Sequence, residues 1–125
     1  MYDISLYGHL TVDRIFEKFN KRNGLGSIAN VWKALINESP ELKLYICPTE
    51  IGSAIVYIDK DIGERYSKAS LSNFIQKPEI KNSKINHILY LNELVEPSFI
   101  SQLDGINCAD ICVGKKVDYS LLKYI

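Results

Sequence analysis

The strongest constraint on the fold is a single helical stripe set between two alternating segments. Ile28, Val31, Trp32, Leu35 and Ile36 recur at i, i+3, i+4, i+7 and i+8, which places them on one face of an α-helix at the 3.6-residue period. Ser27 stands at the N-cap position, where a hydroxyl can accept a hydrogen bond from a first-turn amide. Asn37 to Pro40 end the helix, because proline cannot continue one. Before the stripe, Ile4-Ser5-Leu6-Tyr7-Gly8 alternates apolar with polar residues and stops at glycine. After it, Leu42-Lys43-Leu44-Tyr45-Ile46-Cys47 alternates again. A helix with one apolar face has to bury that face, and strands on either side of it predict an α/β layer.

The remaining segments are less periodic. Residues 14–23 carry charges around Phe16 and Phe19 and read as a loop or an irregular edge segment. Gly24-Leu25-Gly26-Ser27 then reads as a turn. Residues 53–58 and 64–67 flank the charged, glycine-ended turn Asp59-Lys60-Asp61-Ile62-Gly63, which predicts a hairpin. Residues 73–83 hold Pro78 and several lysines and read as a solvated connection. Residues 86–91 and 109–114 read as further strands separated by a short helix over 96–103, and residues 119–125 as the start of a helix or strand.

At 125 residues the chain has the length of one domain, and 46% hydrophobic residues are enough for a core. Fifteen basic residues balance fifteen acidic ones, so no global field draws the chain to nucleic acid or to an anionic membrane. The start lacks a basic, apolar leader, and the longest apolar stretch, Ala54-Ile55-Val56-Tyr57-Ile58, is far short of a membrane span. A cytoplasmic protein with no nucleic-acid and no membrane partner is therefore expected. Cys47, Cys108 and Cys112 are an odd set with no export signal, so reduced, buried thiols are expected rather than disulfides. Cys108 and Cys112 would hold a metal only with further ligands, and none is expected.

Gly24-Leu25-Gly26-Ser27-Ile28-Ala29 has the letters of a dinucleotide fingerprint, with Glu50 downstream. A Rossmann glycine turn follows a buried strand directly, whereas Glu17-Lys18-Phe19-Asn20-Lys21-Arg22-Asn23 precedes this one. A Walker A loop and a nucleophile elbow are absent from the sequence, and two histidines without motif context do not assemble a triad.

A different set of features belongs together in order. Asp3-Ile4-x-x-x-Gly8-x-x-x-x-Asp13 resembles the opening of the PfkB or ribokinase-like carbohydrate kinases. Leu25-Gly26-Ser27-Ile28-Ala29-Asn30-Val31 is similar to that family's Gly-Gly-x-x-Ala-Asn-x segment, with Leu25 where the family has its first glycine. Residues 49–65, with Gly63-Glu64-Arg65, resemble its lid, and residues 86–94 the strand that follows. The resemblance implies the amino-terminal part of a ribokinase-like α/β sheet. Its strands would be 4–8, 42–47, 86–91 and 109–113, with the helix over 28–36 on one face and a small β-lid hairpin at about residues 50–70, all in one domain over 1–125. It implies that Asp13 and Asn30 bind sugar hydroxyls and that Gly26 lets backbone approach the sugar. The family's catalytic aspartate, anion hole and adenine site correspond to segments downstream of those matched here. Hence no catalytic residue is expected in this chain, and ATP and magnesium only in a complete kinase that extends beyond Ile125 or joins a companion chain. The alternative reading is a truncated, non-catalytic module that forms a homodimer by pairing its lid hairpins. Few helices are available to cover a parallel sheet, so exposed apolar surface and self-association are expected of the chain alone.

Overall fold

The structure, a computed structural model, describes residues 1–112 and 116–125. Six strands and one α-helix follow one another as β1 (Tyr2–Glu17), β2 (Asn20–Ser27), α1 (Ile28–Glu38), β3 (Leu44–Asp59), β4 (Glu64–Phe74), β5 (Ser83–Leu89) and β6 (Ile106–Ala109). Short 3₁₀ turns occupy Leu91–Glu93, Pro97–Gln102 and Tyr119–Tyr124. The strands form one mixed sheet in the order β4-β3-β1-β5-β6, with β2 paired to β1.

β1 and β3 are each 16 residues long and run side by side in parallel from Ile4 and Leu44 to Glu17 and Ile58. In their lower halves β1 also pairs in parallel with β5, and β5 with β6, which makes a parallel base. In the upper halves β1 pairs antiparallel with β2, and β3 antiparallel with β4, which makes a four-stranded lid. The exchange of partners occurs where the β1–β3 register shifts between Gly8 and His9. Gly8 has a φ of 151°, and a Cβ there would run into the carbonyl of Leu89, so glycine alone lets the end of β5 come this close.

Both faces of the base are packed. On one, Tyr7, Cys47 and Ile88 meet Leu91, Phe99, Ile100 and Leu103 from the segment after β5. On the other, Ile28 of α1 seats on Leu6 and Leu89, with Val31 and Leu35 beside them. The predicted stripe is therefore the buried face of α1, although Trp32, further along it, is 36% exposed. No second helix flanks α1 among the described residues, so that face is covered only in part.

Several sequence expectations are corrected. Residues 14–23 are not a loop but the paired ends of β1 and β2, joined by the two-residue turn Lys18-Phe19. Gly24 to Ser27 is not a turn but the end of β2, which passes directly into α1; Ser27 has a φ of 57° and makes no side-chain cap. The segments 42–47 and 53–58 are one strand, which tolerates Pro48 because it lies at the register shift, where a ladder donor is dispensable. The lid is larger than the hairpin at about 50–70, since β1 and β2 supply half of it. The last sheet strand is Ile106–Ala109 and not 109–113, and the Val113-Gly114 end of that expectation lies outside the described residues. The helix over 96–103 is a 3₁₀ segment, Pro97–Gln102, whose first turn is capped by the Glu96 carboxylate. Among the described residues no helix is long and apolar enough to cross a membrane.

Candidate functional site

A cavity of about 970 Å³ lies between the inner face of the lid and the carboxyl ends of β5 and β6. Open α/β sheets hold ligands at the carboxyl ends of their parallel strands, so the position itself is informative. Its walls come from four directions. β1 contributes His9, Thr11 and Asp13, which share one face because alternate residues of a strand do. The start of α1 contributes Asn30 and Val31. β3 and β4 form a ceiling of Ala54, Val56, Arg65, Ser67 and Ala69, and the segments after β5 and β6 supply Tyr90, Asn92, Glu93 and Asp110.

Asp13 is 6% exposed, and its carboxylate accepts a hydrogen bond from Thr11 Oγ1 at 2.6 Å. Its burial is made possible by glycine across the ladder. Gly24 pairs with Asp13 and Gly26 with Thr11, and a Cβ at Gly26 would collide with the Asp13 carboxylate and the Thr11 hydroxyl. Gly26 does not itself line the cavity; it clears the space that the carboxylate occupies. Asn30 sits exposed in the first turn of α1, on the cavity rim. Asp13 and Asn30 are therefore brought to one cavity, with Gly26 directly behind Asp13.

The floor holds a cluster that the sequence reading missed. His9, buried beside the register shift, lies between two carboxylates, with Nε2 3.6 Å from Glu50 Oε1 and Nδ1 3.3 Å from Glu93 Oε2. Glu50 is thus committed to the floor and not to a ribose. Burial pushes the Tyr90 phenol up, helped by the negative charges of Asp110 and Glu93 and opposed by Arg65. It remains a donor at neutral pH. The signal for His9 and Thr11 was present: polar residues at i, i+2 and i+4 continue past Gly8 to Asp13, as an extended strand requires.

The wall is rich in paired donors and acceptors. An ionised carboxylate only accepts, an amide does both, and a hydroxyl or phenol donates and accepts, which suits a ligand carrying several hydroxyls. The small ceiling residues Ala54, Ser67 and Ala69 leave the space such a ligand would fill. Among the described residues no cluster of His, Cys, Asp and Glu is arranged to hold a metal ion. Cys47 is buried as expected, whereas Cys108 and Cys112 are only half-buried because the β6 side of the sheet is thinly covered. No family model matches the chain, and no curated protein matches it.

Proposed function

We propose that these 125 residues form the sugar-binding part of an ATP-dependent carbohydrate kinase of the ribokinase-like kind. One observation carries this reading. Asp13, Asn30 and the inner lid face, assigned to a sugar site from separate short motifs, line a single cavity beneath the lid. The buried Asp13 carboxylate accepts from one or two sugar hydroxyls, which strengthens each bond by its charge. Asn30 donates to and accepts from a neighbouring hydroxyl at the rim. The ceiling of β3 and β4 excludes water above the ring.

In a complete kinase ATP with magnesium supplies the phosphoryl group. The residues described here do not fit a triphosphate. Gly24 and Gly26 belong to the β1–β2 ladder and form no free amide cradle, and among the described residues Asp13, Glu93 and Asp110 line the cavity with Arg65 as its one Lys or Arg. Phosphoryl transfer works by positioning and by stabilising charge on the transferred group, so this chain contributes the acceptor side alone.

Titration of the protein with a panel of pentoses, hexoses and polyols, followed by NMR chemical shifts, tests the reading. Shifts should cluster at Asp13, Asn30 and the inner faces of β3 and β4. Asp13→Ala should weaken binding by roughly 10- to 100-fold, the effect of losing a charged hydrogen-bond partner. Wild-type affinity in a folded Asp13→Ala protein would remove Asp13 from the site.

A second reading is self-association through the lid. β4 is exposed at every position and forms the outer edge of the sheet, and Val12, Ile55, Tyr57 and Tyr66 are exposed apolar residues of the lid strands. An open, unpaired edge is a template for another strand. A strictly monomeric species in concentrated solution by light scattering would exclude it.

A further inference from the structure

We propose that Cys108 is a modification site, a thiol that forms mixed disulfides with small disulfides of the glutathione class by passing its proton to His87. The inference does not rest on the sugar reading, although its Asp110 also borders the cavity, and the site is built by the base of the sheet. β5 and β6 run parallel with His87 opposite Cys108, so the two side chains leave the sheet on the same face. Cys108 Sγ lies 3.4 Å from His87 Nδ1, and His87 Nε2 lies 3.1 Å from Asp110 Oδ2. An ionised carboxylate can only accept, so Asp110 fixes the ring proton on Nε2 and leaves Nδ1 free to take the thiol proton. Nucleophile, base and orienting carboxylate are thus aligned in series, the arrangement by which proteins activate a weak nucleophile.

The thiol is accessible. Cys108 is half-buried, and the His87 side chain retains 23% of its exposure. One pleat earlier on the same face, the paired Ile85 and Ile106 are 36% and 68% exposed, because α1 covers β1 and the end of β5 but does not extend to β6. Cys47, by contrast, is packed inside the base core.

Among the described residues, the ionisable groups set against the thiol are His87 from β5 and Asp110 just past β6; β1 presents Leu6 opposite His87. Burial, and then the charge of Asp110, hold the Cys108 thiol above its usual range, so a standing thiolate is scarce at neutral pH. Reactivity there depends on transfer to His87 as the bond forms. The Cys108 proton passes to Nδ1, the sulfur attacks one sulfur of the disulfide, the S–S bond breaks, and the departing thiolate takes the proton back from Nδ1. Cys108 ends oxidised in the mixed disulfide and the other half of the reagent leaves as a thiol.

The test is exposure of the full chain to oxidised glutathione, with the adducts mapped by peptide mass spectrometry. Cys108 should be modified ahead of Cys47 and Cys112, and its rate should already show a step below the alkaline range in which a bare thiol reacts. His87→Gln should abolish that step and slow Cys108 at neutral pH by at least roughly tenfold, with the other two thiols unchanged. Prior modification of another cysteine, a Cys108 rate that rises only in the alkaline range, or an unchanged rate in folded His87→Gln protein would each overturn the proposal. The pH profile of the unmodified sequence decides the matter even where the variant does not fold.

Discussion

The same two strands, β1 and β3, behave differently in their two halves. In the base β1 lies between parallel β3 and β5 and is buried on both faces, with Leu6 and Tyr7 almost wholly removed from solvent, and β3 has β1 as its parallel partner. In the lid they are flanked by hairpin partners, one face toward the cavity and the other toward water, and β4 is exposed throughout. The base is held by apolar burial. The lid is held by ladder hydrogen bonds, by the ring contacts of Tyr57 with Phe16 and Tyr66, and by Glu17, which pairs with Arg22 and Lys60 across its turns. A single strand can thus serve as core at one end and as cover at the other, with only its neighbours changed.

The largest test of this contrast is a pair of truncations. Ile100→Ala, in the base core, should destabilise by about 2–5 kcal/mol, the cost of a lost side chain plus a cavity. Tyr57→Ala, in the lid, should cost about 1 kcal/mol or less, the worth of cross-strand ring pairs on an exposed face. Urea unfolding of both measures it, and equal losses would break the distinction.

The base was also the more legible half. The strand ending at Gly8 and the helix over 28–36 were readable because burial of one helix face leaves a strong period in the sequence. The lid was readable only where a glycine marked a turn. The β3–β4 hairpin announces itself through Gly63, whose φ is 69°. The β1–β2 hairpin turns through Lys18 at a φ of 44°, a conformation that usually calls for glycine or asparagine, and so left no turn signal. Missing that hairpin ended β1 nine residues early in the sequence reading and hid His9 and Thr11, although Asp13 and Asn30, singled out through the order of the motifs, line the same cavity. Glu93 and Asp110 reach the cavity through pairing between distant strands, which no local pattern encodes.

The smallest expected effect concerns acid. The backbone amide of Lys43, and then Lys84, hold the Asp3 carboxyl below its usual value of 3.8, and Asp3 thereby ties together the starts of β1, β3 and β5. Lys60 and Arg22 hold Glu17 in the lid below 4.5 in the same sense. A lowered folded value contributes stability that is present above the unfolded value and is lost as pH falls through the folded one. Asp3→Asn should flatten the acid limb of the stability curve. Glu17→Gln should do so less, and less still in high salt, because its partners are solvated. Thermal melts between neutral pH and pH 3 read both, and an acid limb unchanged in Asp3→Asn would detach Asp3 from the base.

The continuity of β1 has a mechanical consequence. Sixteen residues of extended chain make a beam roughly 50 Å long, clamped at one end in the base and free at the other. Such a lid has no tether to swing on; it can only flex elastically, and the softest point is the register shift at Gly8 and His9. Because the carbonyl of Leu89 rests against Gly8, any bend there presses on the end of β5, from which Tyr90 and Glu93 enter the cavity. A load applied to the roof is delivered to the floor at Gly8 and at its neighbour His9, which meets Glu93 there.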